Sequence, residues 1–274
     1  MIPKIKSIVS KNIIAFRLSF IIWQLLNDLY DLLVCQVPWA ITKTMSYFVF
    51  LATGLPVITS AHHRIFKKLG ELSKELGVEV IIDVGANDGW FYKLVKHYVG
   101  KEKKYIGFEP IKSEYEKLLK QLNAQDEIWN YCIGSETGKS IFYEYGTTGV
   151  SSTKRLVCAK PYGATYDTTT MKEYEVEIQK LDDVVIPDKK CLLKIDVQGA
   201  ELEVLKGAAH LIESGLCKLV LVEVMVIPKY AGQPQWDEII NFMVARGFRL
   251  KDLHLASYSS NFLSEMDLLF AAEA

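Results

Sequence analysis

Two acidic residues that end apolar runs are the side chains of this sequence best suited to bind a small polar molecule. Asp83 ends one run and leads into a turn that contains Gly85, Asn87 and Gly89, whereas Glu109 ends the next run. Glycine lets the backbone approach a ligand closely, and the free N–H groups of a helix start favour anionic or polar groups. A carboxylate can accept two hydrogen bonds from a vicinal diol, so we predict that Glu109 binds ribose hydroxyls.

The spacing of the turn selects among nucleotide-like cofactors. It reads Asp-x-Gly-x-x-x-Gly rather than the Gly-x-Gly-x-x-Gly of dinucleotide sites, and no pyrophosphate cradle is evident. S-adenosyl-L-methionine fits better, because its ribose can meet Glu109 and its methionine end can lie against the turn. The competing interpretations are an ordinary strand-to-helix turn and a solvated Glu at a strand end.

These residues can meet only if strands and helices alternate along the chain. Apolar runs do alternate with segments of helical period, which predicts an α/β fold with a Rossmann-like, mostly parallel sheet and a closing antiparallel strand pair. The predicted strands are residues 80–84, 104–108, 127–133, 191–197 and 218–225, with the antiparallel pair at 248–253 and 266–271 and exposed-face strands at 141–145 and 174–178. Ser113 and Glu116 predict a capping box, and a helix is predicted from Gly199 to Ile212.

Ligands of such a sheet bind at the carboxyl ends of its strands. Asp83, Glu109, Ile133, Asp196 and Glu223 all lie at or near predicted strand ends, so we expect them to converge on one cleft. Several acids that end apolar strands are hard to explain by core packing alone.

Several motifs in this order resemble the FkbM family of S-adenosylmethionine-dependent methyltransferases, over roughly residues 78 to 271. They are Asp83–Gly89, Phe108-Glu109-Pro110, Leu181-Asp182-Asp183 and Lys194–Ala208. The resemblance implies a class I methyltransferase fold, with Asp83–Gly89 and Glu109 holding the cofactor and Ile133-Gly134-Ser135 passing near the adenine. One departure matters, because the family usually has Glu where this chain has Gln198.

Methyl transfer to a hydroxyl needs a base for the hydroxyl proton. We expect Asp196 to be that base and to border the cofactor near its methyl group, with Lys194 tuning it and Glu223 as the second candidate. The competing interpretation of Asp196 is a helix cap, and for Glu201 it is a first-turn acid. The resemblance favours O-methylation of a sugar, a glycan or another small hydroxylated acceptor. A lipid-linked membrane acceptor and a non-catalytic binding protein of the same fold are the alternatives.

The composition limits the classes of molecule that the protein is expected to bind. The chain has 274 residues, is 50% hydrophobic and carries a net charge of −1, which does not favour nucleic acid as a partner. Its five cysteines show no metal-type spacing and suggest buried thiols in the cytoplasm. The adjacent His62 and His63 lack supporting ligands, so no metal is expected. Nothing in the sequence determines the oligomeric state.

The first sixty residues differ in composition from the remainder of the chain. We expect residues 1–60 to form an N-terminal helical extension and residues 61–274 to form the methyltransferase domain. The extension can pack on the domain or, through an apolar face around Phe16, Phe20 and Trp23, make peripheral membrane contact. A cleaved signal peptide is not expected, because no small-x-small site follows the apolar stretch.

A long polar segment interrupts the alternation of predicted strands and helices. Residues 146–172 are rich in Thr, Ser, Gly and Tyr and poor in large aliphatic residues. Loops of this length in a compact domain are functional or disordered. We predict a mobile lid on the acceptor side, with Tyr162 and Tyr166 available to stack on sugar faces.

Overall fold

The computed structural model describes four stretches of the chain, residues 60–157, 170–185, 188–259 and 262–273. The predictions for the N-terminal extension, and those for Tyr162 and Tyr166, lie outside these residues. By its contacts the chain divides into two units, of which the second, Ile65–Ala274, is the one considered below. Within the described stretches no helix is both long enough and apolar enough to span a bilayer.

A seven-stranded sheet organises this unit. Its strands are β1 (Val80–Val84), β2 (Lys104–Phe108), β3 (Glu127–Trp129), β7 (Cys191–Ile195), β8 (Cys217–Met225), β9 (Phe248–Ser259) and β10 (Phe262–Ala272). They lie in the order β3-β2-β1-β7-β8-β10-β9. Neighbouring strands are parallel except that β10 runs antiparallel to both β8 and β9. The predicted α/β class, with a mostly parallel Rossmann-like sheet and a closing antiparallel pair, is confirmed.

Helices connect these strands and cover the sheet. They are α1 (Ser60–Leu76), α2 (Trp90–Tyr98), α3 (Lys112–Leu119), α4 (Leu181–Val184), α5 (Glu201–Gly207), α6 (Ala209–Glu213) and α7 (Trp236–Val244). Val80 and Ile82 of β1 share a buried cluster with Val204 of α5 and Met243 of α7. Because successive strand residues face opposite sides, the fully buried Ile81 faces the other layer of the sheet.

A second, three-stranded sheet contains the two exposed-face strands predicted at residues 141–145 and 174–178. Its order is β4-β6-β5, where β4 is Cys132–Gly134, β5 is Gly138–Tyr145 and β6 is Met171–Lys180. The single strand predicted over residues 127–133 is therefore wrong. Its two halves, β3 and β4, belong to different sheets, and the amide of Asn130 between them donates to the carbonyl oxygens of Glu109 and Pro110, at 2.8 and 2.9 Å.

Two details of the helices also differ from the prediction. The capping box of Ser113 and Glu116 does not form, because α3 begins earlier and the carbonyl of Ile111 accepts from the amides of Glu114 and Tyr115. The helix predicted from Gly199 to Ile212 is divided into α5 and α6 at Ala208.

Candidate functional site

The turn after β1 has a shape that only glycine allows at Gly85. Its φ is +85°, and the Gly85 and Ala86 amides donate to the carbonyl oxygen of Phe108, both at 3.0 Å. A Cβ atom on Gly85 would lie 1.9 Å from the carbonyl oxygen of Asp196. The turn is thus pressed against the end of β7, and a side chain there would force the two apart.

Glu109 holds this turn from the neighbouring strand end. Its Oε2 accepts from the backbone N–H of Asn87 at 2.8 Å, and its Oε1 accepts from the backbone N–H of Ile111 at 2.7 Å. The side chain is buried, and burial raises the pKa of Glu109 to about 7 although both amides favour the charged form. Each carboxylate oxygen has more than one acceptor position, so Glu109 can support the turn and still accept from a ligand.

A cavity opens beside Glu109. Its walls are mainly apolar or aromatic, and its polar groups include Asn87, Glu109, Asp196 and Gln198. The apolar and aromatic wall residues include Val84, Phe108, Ile111, Tyr131, Ile133 and Phe142. Of the predicted residues, Gly85, Asn87, Glu109, Ile133 and Asp196 therefore line one cavity.

Asp83 does not line the cavity but supports the turn from behind. It is fully buried, its Oδ2 accepts from the Tyr105 hydroxyl at 2.6 Å, and its Oδ1 lies 3.0 Å from Lys194 Nζ. Lys194 Nζ also donates to the Gly85 carbonyl oxygen at 2.7 Å and lies 3.5 Å from Asp196 Oδ2. Burial opposes the charge of Lys194, yet Asp83 and Asp196 raise the pKa of Lys194 above its ordinary value.

Gly89 and Gly134 also lie behind the cavity wall. Gly89 has a φ of +87°, precedes α2, and would place a Cβ 2.7 Å from the side chain of Leu118. The carbonyl oxygen of Gly134 lies against Gly207 of α5, whose Cβ would come within 1.9 Å of it. A Cβ on Gly134 itself would lie 2.8 Å from Ile178 Cγ2, so Gly89 and Gly134 both permit close packing, and neither lines the cavity.

Asp196 and Glu223 meet at the ends of β7 and β8. Asp196 is about one-third exposed and faces the cavity. Glu223 does not line the cavity, and one amide nitrogen, Gln198 Nε2, donates to Asp196 Oδ1 at 2.8 Å and to Glu223 Oε2 at 2.6 Å. Burial, with Asp196 and Asp267 nearby, raises the pKa of Glu223 well above its ordinary value. Because Asp196 lines the cavity and Glu223 does not, and because burial favours the protonated form of Glu223, Asp196 is the better placed of the two candidate bases.

Asp196 does not cap the following helix. The residue before α5 is Ala200, and no side chain caps it. The carboxylate of Glu201 instead accepts from the Gly199 amide at 2.9 Å and lies 3.3 Å from the Val197 amide nitrogen. The interpretation of Asp196 as a helix cap is wrong, whereas Glu201 does bind backbone amides at the helix start. Burial raises the pKa of Glu201 to about 7.

Residues 146–157, the first described part of the predicted lid, lie across one side of the cavity. Thr148 and Gly149 line it, and the hydroxyl of Ser152 donates to the Val197 carbonyl oxygen at 3.0 Å. The Tyr230 hydroxyl lies 3.0 Å from the Val150 carbonyl oxygen. The segment is therefore tied to the rest of the site by hydrogen bonds. The predicted loop also ends earlier than expected, since β6 begins at Met171.

Sequence reasoning missed several residues of the site. Tyr105 and Tyr230 act through contacts of their hydroxyl groups, for which the sequence carries no signal. Asp267 had a signal, because it is an acid inside the apolar run of β10, and it pairs across the sheet with Glu223. Burial and the neighbouring Asp196 raise the pKa of Asp267 to about 7. Among the described residues no His, Cys, Asp and Glu cluster has the arrangement of a metal site.

Comparisons with known proteins agree with these motifs. The profile of the family described as methyltransferase FkbM domain matches residues 83–250, more than half of the chain. No protein of curated function matches. The site residues from Asp83 to Glu223 all lie within the matched region.

Solved structures show weaker likenesses. A methyltransferase FkbM from Methylobacillus flagellatus is 14% identical, with 70% of this chain and 43% of that chain covered and a TM-score of 0.44. The magnesium protoporphyrin IX methyltransferase from Synechocystis PCC 6803 with bound SAH is 10% identical, with 78% and 84% covered and a TM-score of 0.44. This chain thus spans less than half of the first structure. Because the family profile covers the cavity loop, Glu109 and the β7 motif, the chain belongs to the methyltransferase FkbM domain family.

Proposed function

We propose that this protein transfers a methyl group from S-adenosyl-L-methionine to a hydroxyl oxygen of a sugar, a glycan or another small hydroxylated acceptor. The observation that carries the proposal is that two carboxylates line the same cavity, Glu109 after β2 and Asp196 after β7. Family membership supports methyl transfer as the reaction class.

The residues of the cavity fit this cofactor. Glu109 retains acceptor capacity for a ribose diol, and Gly85 and Asn87 of the turn line the cavity beside it. Ile133, Phe108 and Tyr131 offer an apolar surface for a purine ring. The carboxylate of Asp196 suits a cationic sulfonium.

The reaction makes a simple demand on the protein. The cofactor supplies an electrophilic methyl group, so the enzyme has mainly to position the acceptor oxygen in line with it and exclude water. As the oxygen–carbon bond forms and the sulfur–carbon bond breaks, the hydroxyl proton must leave the acceptor. In this proposal the Asp196 carboxylate accepts that proton, while Lys194 compensates the charge of Asp83 behind it.

Binding calorimetry tests the cofactor assignment. We expect S-adenosyl-L-methionine and S-adenosylhomocysteine each to bind the wild-type protein at a single site. Glu109→Ala should weaken both, by roughly 1.5–3 kcal/mol, because a charged acceptor of hydrogen bonds is lost. The exposed Glu75→Ala is the matched control and should bind as wild type does. Unchanged binding by Glu109→Ala, or no binding by the wild type, would falsify the assignment.

A labelled-methyl assay tests the acceptor. With isotopically labelled cofactor we expect label in the ether fraction of a panel of glycosides and free sugars. A parallel panel of lipid-linked sugars addresses the alternative acceptor class. Incorporation into nitrogen or carbon positions, or none in any hydroxylated compound by a protein that binds the cofactor, contradicts O-methylation.

A further inference from the structure

Gln198 occupies a backbone conformation that non-glycine residues rarely adopt. Its φ is +57°, and the next residue, Gly199, has a φ of +98°. A Cβ on Gly199 would lie 2.9 Å from the Cβ of Tyr230, so the turn is closely packed on that tyrosine. Non-glycine residues stay in this region only when their surroundings hold them there. The turn directs the Gln198 side chain to the cavity wall.

All the polar atoms of the Gln198 amide have partners. Nε2 donates to Asp196 Oδ1 and Glu223 Oε2, and Oε1 lies 3.0 Å from the Tyr230 hydroxyl. The amide is assigned with its nitrogen toward the two carboxyl groups and its oxygen toward the Tyr230 hydroxyl, whose one proton also has the Val150 carbonyl oxygen within reach. A glutamate at this position would instead place a third carboxyl group against two others.

The surroundings hold few positive charges for so many acids. The titratable and charged groups that face the Asp196–Glu223 pair are Asp83 of β1, Lys194 of β7, Glu201 of α5, Asp267 of β10, His254 of β9 opposite Asp267, and Tyr230. Lys194 lies closer to Asp83 than to Asp196. Asp196 and Glu223 bond the same Gln198 nitrogen, so two negative charges there would repel each other strongly. One of the two carboxyl groups should therefore hold a proton.

We infer that Gln198 is a positioning residue that holds Asp196 and Glu223 as one pair with a single shared proton, so that one negative charge faces the cavity. The inference rests on the proposed function, which places the cofactor sulfonium beside Asp196. The amide donates to both carboxyl groups, which favours their charged forms and opposes a second proton, whereas a carboxylate at this position would favour one. Gln198 thus fixes the charge available to a cationic ligand.

The test compares two ligands that differ by one methyl group and one charge. Calorimetry between pH 6 and pH 8 measures the affinities of S-adenosyl-L-methionine, whose sulfur is cationic, and of S-adenosylhomocysteine, whose sulfur is uncharged. Their ratio cancels the titration of Glu109, because both ligands present the same ribose. Asp267 and Glu201 also titrate in this range, so the wild-type curve serves as the baseline.

Gln198→Glu adds a carboxyl group to the pair. We expect the ratio of the two affinities, S-adenosyl-L-methionine over S-adenosylhomocysteine, to become more dependent on pH than in the wild type. The added change should be about tenfold across the range, the effect of a coupling of one pK unit. Gln198→Met removes both donors without adding charge and should lower the ratio several-fold at pH 7. Gln125→Glu, an exposed site away from the cavity with the same charge change, should follow the wild type.

The outcomes separate the two proposals. If neither ligand binds the wild type, the proposed function fails. If both ligands bind, and the curves of Gln198→Glu and Gln198→Met superimpose on the wild type, the role of Gln198 is wrong while the cofactor site stands. Should Gln198→Glu not fold, the Gln198→Met ratio decides alone.

Discussion

Lys194 connects the buried support of the cavity turn to the acid that faces the cavity. It compensates Asp83, which has no solvent exposure, and donates to the Gly85 carbonyl oxygen. Removing one partner of a buried ion pair leaves an uncompensated charge. A single side chain therefore affects both the stability of the fold and the shape of the turn.

We expect Lys194→Met to lower the free energy of unfolding by about 3–5 kcal/mol, because Asp83 would remain buried without its partner. Urea denaturation measures the change. The control is Lys139→Met, which breaks an ion pair with Glu175 whose side chains are both exposed, and should change stability little. The double variant Asp83→Leu with Lys194→Met should recover part of the loss. Equal effects at Lys194 and Lys139 would contradict this account.

Individual residues were predictable from the sequence where their chemistry was tied to a strand end. Glu109 and Asp196 follow apolar runs, and the cavity does contain both. The roles of Tyr105 and Gln198 depend on contacts between residues distant in sequence, which periodicity does not encode. Glu223 was found, but its raised pKa follows from burial among other acids, which only the structure reveals.

At the scale of elements, the contact between β4 and α5 joins the second sheet to the main core. Gly207 allows it, because a Cβ there would lie 1.9 Å from the carbonyl oxygen of Gly134. Ile133, on the strand that this contact fixes, forms part of the cavity wall. A backbone carbonyl cannot move aside as the end of a flexible side chain can. The close spacing of β4 and α5 therefore depends on residue 207 having no Cβ atom.

Alanine favours helices over glycine, yet we expect Gly207→Ala to destabilise the protein. The overlap must separate α5 from β4, and overpacking of this kind costs roughly 1–3 kcal/mol. Thermal and urea unfolding measure the loss. Gly138→Ala is the control, because a Cβ at that position meets nothing within 4 Å and its φ is not positive. A neutral or stabilising Gly207→Ala would show that the two elements can separate freely.

The element pattern shows where periodicity is informative. It located β1, β2, β7 and β8 because buried parallel strands are continuous apolar runs. Periodicity joined β3 to β4, because the change of sheet occurs within Asn130 and Tyr131, which is too short to interrupt the apolar run. The capping signal at Ser113 was overridden when α3 began at the preceding turn, where the Ile111 carbonyl accepts the first amides.

At the scale of the whole molecule, buried acids should make the stability of the ligand-free protein depend on pH. Burial raises the pKa values of Glu109, Glu201 and Asp267 to about 7. Their ordinary values are 4.5, 4.5 and 3.8. Between these values and about 7 the native state binds more protons than the unfolded state, so the free energy of unfolding falls as pH rises.

We expect the free energy of unfolding to decrease from pH 5 to pH 8, measured by urea denaturation at each pH without ligand. Asp267→Asn should flatten this slope, because one of the raised groups no longer titrates. An exposed substitution such as Glu75→Gln should leave the slope unchanged. Stability that rises steadily over this range, or a slope unaffected by Asp267→Asn, would refute the assigned direction.

The pairing of β1 with β7 has a consequence for the order of events during synthesis. Val80 aligns with Cys191, so the centre of the sheet joins segments made far apart in time. Pairing over such a separation folds slowly, and chains emerge from the ribosome N-terminal end first. The turn at Gly85 rests on the Asp196 carbonyl, which a nascent chain does not yet possess when Glu109 has left the ribosome. We therefore expect cofactor-binding capacity to be absent from nascent chains that end before Cys191.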